Sequence, residues 1–321
     1  MEFIYNDIFL QHKTGIHPES PSRLTYFKNL GQTEVENGEE YLKLVHPHTY
    51  IDFVKKACAK SQDLDSDTKT SPETYKVACY AVGATIQAIK NGDFAIVRPP
   101  GHHATADRAM GFCIFNNTAI AVQHLLNQGK KVFILDFDIH YGNGTAEIFY
   151  HNPNVVYMSF HQYPYYPGNG FINEIGAGEG KGHIINIPLV PKTGDDVYLE
   201  ILNYFLPIIK EQFKPDIVCC GAGFDAHHSD PVCDMNFSVN AYYETGKLLR
   251  NNFKKTFATL EGGYDPMWLA KNAICFKDGI NGEELKFHED PKTNTVDYIK
   301  KKVSDNFEQL KMNLQPYWKL Q

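Results

Sequence analysis

The sequence predicts an α/β protein built on a mostly parallel sheet with helices on both faces. Short apolar, β-branched runs alternate with longer segments of helical periodicity, the pattern of repeated strand–helix crossovers. The runs are apolar at nearly every position rather than at alternate ones, as strands covered on both faces are. No fixed repeat, low-complexity tract or Pro/Gly/Ser-rich linker interrupts the 321 residues, so one domain over 1–321 is expected.

Strands are expected at Phe94–Val97, Val132–Asp136, Val155–Ser159, His183–Ile187, Asp216–Cys220 and Thr256–Leu260. Helices are expected at Ser71–Asn91, Asn117–Gln128, Asp195–Phe213, Ser238–Asn252 and Pro266–Phe276. Asp195 and Asp196 set negative charge at the positive end of their helix, and Ser238 has the side chain of a cap. Pro207 lacks the N–H that a helix interior uses and predicts a bend. Asn281–Asp297 reads as a polar loop over the rim, and Thr295–Leu314 as a surface helix. Long loops at Pro99–Asn116 and His161–Gly182 mark where such folds build their sites.

Hydrophobic residues make up 43% and charged residues 21%, which excludes disordered and fibrous classes. No apolar run approaches the roughly 20 residues of a membrane helix. The opening MEFIYNDIFLQHK lacks the basic-then-apolar order of a secretory signal. Net charge is 31 minus 38, or −7, which argues against nucleic-acid binding by charge. Seven scattered cysteines without a C-x-x-C pair point to a reduced, cytoplasmic protein.

Active sites of open parallel sheets lie beyond the carboxyl ends of the strands. Four polar clusters pass that filter. One is Asp136-Phe137-Asp138-Ile139-His140, where extended geometry would turn Asp136, Asp138 and His140 toward one centre. With Asp225, from Gly223-Phe224-Asp225, two carboxylates and one imidazole would hold a metal and leave a position open for catalysis. A third aspartate would then orient a neighbour. Read alone, D-x-D-x-H is equally a capping cluster at a strand-to-helix turn. His102 and His103 follow a rigid Pro-Pro-Gly turn and either exchange protons with a metal-bound water or form a satisfied buried pair. Tyr264, after Gly262-Gly263, is either an oxyanion donor or a packed turn aromatic. Together the pieces are an inventory for hydrolysing an amide or ester with one metal.

RPPGHHA, GFCIFNNTAIA, DFDIHYGNGT, GAGFDAHHSDP and LEGGYD occur in the order found in histone deacetylases, and HPESPSRL and LDSDTKTSPETY also fit. The match runs from Phe3 to about Ile280 and resembles the class II branch and its bacterial relatives, including acetylpolyamine amidohydrolases. The resemblance implies the arginase/deacetylase fold, an eight-stranded parallel sheet between helical layers. It implies zinc on Asp138, His140 and Asp225, a donor set whose chemistry would also accept ferrous iron; His103 as base and acid; His102 as its electrostatic partner beside Asp136; and Tyr264 on the oxyanion. Asn143 stands where some branches have an aspartate, so His103 should be harder to protonate.

The resemblance also implies a structural potassium at Asp136, Asp138, His140, Ser159 and the Phe160 carbonyl, and a second near Phe149, Asn152 and Val155. Phe112 and Tyr166 would wall the acyl tunnel, Tyr166 standing where phenylalanine is usual. Gly111, Val232 and Gly263 would contact substrate, and Asp67 would hold its backbone at the rim. Arg23 matches the arginine of an inner acetate channel or forms a structural ion pair. The expected substrate is acetyl-lysine in proteins or peptides, with acetylpolyamines or other small acyl-amides as the alternative. Val232 stands where the polyamine-selective animal enzyme has glutamate. No nucleic-acid or membrane partner and no flanking regulatory segment are expected, and homo-oligomerisation is left open. A two-manganese hydrolase would need carboxylates where Ala226, His227 and His228 stand. A non-catalytic ligand-binding relative would lack one of the pieces, and a purely structural protein would need none.

Overall fold

The structure is a computed structural model and describes residues 1–320. Seven strands form one sheet: β1 (Phe3–Ile4), β2 (Phe94–Ala95), β3 (Val132–Asp136), β4 (Val155–Gln162), β5 (Ile184–Leu189), β6 (Ile217–Ala222) and β7 (Thr256–Leu260). Their order is β1-β2-β7-β6-β3-β4-β5, and every neighbouring pair is parallel. The parallel α/β architecture is as the sequence predicts. The sheet has seven strands among the described residues where eight were expected.

Strand ends differ from expectation where pairing, not composition, decides them. The run expected at Phe94–Val97 keeps two residues as β2, because its outer neighbour β1 is itself only two residues long. Conversely, β4 runs on to Gln162, since its last residues His161 and Gln162 pair with Pro188 and Leu189 of β5. The loop expected from His161 therefore begins inside a strand. Pro188 is tolerated because β5 is an edge strand.

Helices α1 (His48–Ala59), α2 (Thr74–Asn91), α3 (Asn117–Leu126), α4 (Asn143–Phe149), α5 (Asp195–Ile208), α6 (Val239–Asn252), α7 (Pro266–Asn281) and α8 (Asp297–Leu314) fill the crossovers and flanks. Ser238 caps α6, accepting from the Asn240 N–H. Asp195 does more than face a helix terminus: its carboxylate accepts from Ser238 N at 2.8 Å, Ser238 Oγ at 2.5 Å and Thr293 N at 3.1 Å, so three segments meet on it. At Pro207 α-geometry continues to Ile208 and then widens into a π-helical turn at Ile209–Phe213. The expected surface helix is α8, which also buries Ile299, Val303, Leu310 and Leu314; beyond it the buried Trp318 donates to the Gly182 carbonyl at 2.7 Å.

Register sets the site. Asp136 pairs with Ser159 on one side and Gly221 on the other, and Gly221 pairs with Thr259, so the carboxyl ends of β3, β6 and β7 fall within one residue of each other while β4 runs three residues further. The loops leaving them open on one edge of the sheet. Below that edge β3, β4, β6 and β7 are buried at every residue.

Candidate active site

Beyond β3, two successive side-chain-to-backbone bonds curl the chain. Asp136 Oδ1 accepts from Asp138 N at 3.2 Å, and Asp138 Oδ1 from His140 N at 2.9 Å. This replaces the extended alternation expected for Asp136, Asp138 and His140. Asp138 and His140 still converge, whereas Asp136 turns to His102. His140 Nδ1 lies 3.2 Å from Asp138 Oδ1 and 2.9 Å from Asp225 Oδ2. Asp225 is held by the Ile139 N–H at 3.1 Å, and Asp138 Oδ2 by the Gly262 N–H at 2.6 Å. A Cβ at Gly262 would lie 2.4 Å from Asp225 Oδ2 and 2.5 Å from Asp138 Oδ2, so only glycine lets the backbone approach this closely.

Both carboxylates are buried, and among the described residues neither is paired with a lysine or arginine. Buried charges of this kind are paired or coordinate a metal. Burial and Asp138 push the Asp225 pKa up, while against its own burial the His102 and His140 rings hold Asp138 ionised. Two oxygens and one imidazole nitrogen at a single point fit a divalent cation with an open position. His140 Nε2, on the far side of the ring, faces Cys233 Sγ at 3.5 Å.

The loop after β2 delivers two imidazoles, their rings 4.1 Å apart. His102 Nδ1 lies 3.2 Å from Asp136 Oδ2, which also accepts from the Tyr157 hydroxyl at 2.9 Å. Burial opposes charging His102, but Asp138 and Asp136 raise its pKa to about 10. His103 Nδ1 lies 2.8 Å from Asn143 Oδ1, and the Asn143 amide NH2 faces the His103 carbonyl and Met110 Sδ. That orientation puts the proton on Nδ1 and leaves Nε2 a free acceptor. Burial, then the His102 and His140 rings, push the His103 pKa well below the usual imidazole range. The backbone is pinned beneath: Glu261 Oε2 accepts from Gly101 N at 2.7 Å and His102 N at 3.0 Å.

A cleft of about 190 Å³ opens over these groups. His103, His140 and Tyr264 line its base, Gly111, Phe112, Tyr165 and Tyr166 its walls, and Asp67 and Val232 complete it. Tyr166 crosses His103 edge-on at 5.1 Å, and Phe112 crosses Tyr264 at 5.8 Å. Gly111 has φ +56°, and a Cβ there would sit 2.4 Å from the His103 ring, so this glycine lets the wall close on the imidazole. Burial pushes the Tyr264 pKa well up despite the opposing Arg23, which keeps the phenol protonated.

Gly263 is not on the cleft wall; it is buried, and its carbonyl accepts from Arg23 Nε at 2.6 Å. Arg23 also donates to the Glu261 carbonyl at 2.6 Å, pairs with Glu19 at 3.1 Å and covers the Tyr264 ring at 4.9 Å. Of the two readings of Arg23, the ion pair is the one on view, and it anchors the Glu261–Tyr264 turn. Ser159 sits beside Asp136 in the sheet, with its hydroxyl 3.0 Å from His161 Nδ1; Phe160 is buried against Tyr198. Phe149, Asn152 and Val155 cluster at the α4–β4 connection, where Asn152 N bonds the Phe149 carbonyl. Sequence reading missed Tyr165, Cys233, Glu261 and Asp230. Asp230 Oδ2 accepts from Tyr264 N at 2.6 Å. The Asp-Pro after the Gly-Phe-Asp block was the signal available for Asp230, and the LEGGYD block at a strand end for Glu261; nothing local marks Tyr165 or Cys233.

The Histone deacetylase domain family matches residues 17–277. A probable deacetylase of Methanothermobacter thermautotrophicus is 40% identical over 280 residues, 84% of each chain. A probable deacetylase of Archaeoglobus fulgidus is 31% identical over 98% of each chain. Histone deacetylase 14, chloroplastic, of Arabidopsis thaliana is 31% identical over 94% of this chain and 82% of its own. Among solved structures, that of the HDA15 HD domain superposes with a TM-score of 0.87 at 28% identity, over 98% of this chain and 97% of that one.

Proposed function

Since the chain belongs to the histone deacetylase family, we propose that it removes acetyl, or a related acyl group, from the amine of acetyl-lysine in peptides and proteins, using zinc held by Asp138, His140 and Asp225. The observation that carries this reading is the cleft itself: one cavity brings the free Nε2 edge of His103, the Tyr264 phenol and the His140 corner of the donor set together. A divalent ion on that set supplies Lewis acidity, lowering the pKa of water and drawing electron density from the acyl carbonyl. Ferrous iron would suit the same donors.

His103 Nε2 accepts the proton of the attacking water and returns it to the departing amine, while Asn143 keeps the ring oriented through Nδ1. The positive His102 beside it favours negative charge on the acyl oxygen. Tyr264 donates to that oxygen as charge develops. Phe112 and Tyr166 sandwich the aliphatic stem, and Asp67, exposed at the mouth, accepts from the substrate backbone. Potassium at Asp136, Asp138, His140, Ser159 and the Phe160 carbonyl would offset the concentration of carboxylates beneath the centre.

Acetate release from an acetyl-lysine peptide and from acetylputrescine, each with and without a hydroxamate, tests the reading. Hydroxamate-sensitive turnover of the peptide is expected. Turnover of the polyamine alone would move the substrate to small acyl-amines; no acetate from either would overturn acetyl as the group removed and point to a longer acyl chain or another amide.

A further inference from the structure

Outside that centre, a second set of nitrogen and carboxylate donors meets where the loop after β6 touches the loop between α7 and α8. His227 Nε2 lies 3.0 Å from Asp290 Oδ2, and His228 Nε2 lies 2.8 Å from Asp290 Oδ1. One donor atom from each residue falls within 4.8 Å of the other two. His227 and Asp290 are buried, while the His228 side chain is 38% exposed, so the set has a closed floor and an open side. Trp268 stacks on the His227 ring at 4.6 Å and fixes its plane.

Ser229 holds the far side of the His227 ring. Its Oγ donates to Asp265 Oδ2 at 2.9 Å and lies 2.9 Å from His227 Nδ1, and its N–H donates to that same nitrogen at 3.3 Å. Nε2 is left as the nitrogen that faces Asp290. The arrangement has the form of a metal-binding histidine, whose remote nitrogen is held by an outer partner while the other faces the ion.

We propose that His227, His228 and Asp290 bind a second divalent transition-metal ion, separate from the catalytic centre. Two imidazoles and one carboxylate favour zinc, nickel or cobalt over magnesium or calcium. The ion would lock the two loops together. Through Ser229 and Asp265, the residue that follows Tyr264 and caps α7, it would also brace the turn carrying the phenol.

Metal-free protein titrated with Zn2+ against a chromophoric chelator tests this directly. Wild type should bind two ions per chain, and His228→Ala and Asp225→Ala one each. Ser229→Ala, which keeps all three ligands, should weaken only the outer ion, by about 10- to 100-fold. One ion in wild type and none in Asp225→Ala would overturn the proposal and leave the deacetylase reading intact. One ion in wild type and none in His228→Ala would instead support the outer site and overturn the catalytic assignment. Two ions retained by His228→Ala with unchanged affinities would also overturn the proposal.

Discussion

Individual side chains make the sharpest claims. Tyr264→Phe removes one hydroxyl from the cleft and touches no donor around His140, so bound metal should stay while kcat falls about 10²- to 10³-fold. Steady-state assays with metal analysis on the same sample check both halves, and unchanged turnover would remove the phenol from the chemistry. His103→Ala should cost more than His102→Ala, because only His103 presents a free nitrogen to the cleft; the reverse ranking would exchange their roles. Gly262→Ala would drive a methyl between two carboxylates, so the variant should lose zinc affinity even though no ligand has changed. These residues were legible because D-x-D-x-H, His-His and Gly-Gly-Tyr are short patterns at strand ends. Cys233 was not, since its place behind His140 depends on a loop from another strand. Nor did the alternation rule describe how Asp136, Asp138 and His140 turn, because strand geometry stops at Asp136.

At the level of elements, the Glu261–Tyr264 turn is held from outside. Arg23, on the Pro21–Leu30 segment far away in sequence, bonds two of its carbonyls and shares Glu19 with Arg98, whose Nη2 donates to Glu19 Oε2 at 2.7 Å. Arg23→Met leaves Glu19 with one buried cation instead of two and frees the turn. A loss of about 1–3 kcal/mol is expected, the scale for leaving buried acceptors unsatisfied while Arg98 still pairs with Glu19, together with lower kcat at full metal occupancy. Urea unfolding and the kinetic assay read the two effects separately, and unchanged stability would make the pair ornamental. The Pro21–Leu30 segment is also where periodicity was least informative. It is 3-10 rather than α-helical and buries Arg23 beside Leu24 and Phe27, so no apolar stripe announces it. The central strands and most helices were readable because burial on both faces imposes continuous apolar runs. The two-residue edge strand β1 was not, and β2 was read two residues too long, because both are defined by a neighbour's reach.

For the whole molecule, acid is the expected weak point. His46 receives the Asn116 N–H on Nε2 and faces the Ala106 carbonyl with Nδ1, and His161 spans Ser159 and the Gly170 carbonyl; each arrangement suits one ring proton. Burial holds both pKa values down at about 4. An unfolded imidazole titrates near 6.5. Between those values the unfolded chain binds more protons, so the stability these rings confer is complete above pH 6.5 and lost as pH falls through 4, up to about 3 kcal/mol each. Urea midpoints at pH 7 and pH 4.5 check this, and a variant lacking His46 should show a shallower fall. A flat profile would mean that the rings carry protons in the fold. The chain's two tryptophans sit in different surroundings, Trp268 face-on to His227 and Trp318 sealed beneath the Gly182 carbonyl. Intrinsic fluorescence therefore divides into two spectroscopic channels. Emission from Trp318 reports whether the edge beside β5 is closed, and quenching of Trp268 reports charge arriving on the imidazole stacked against it.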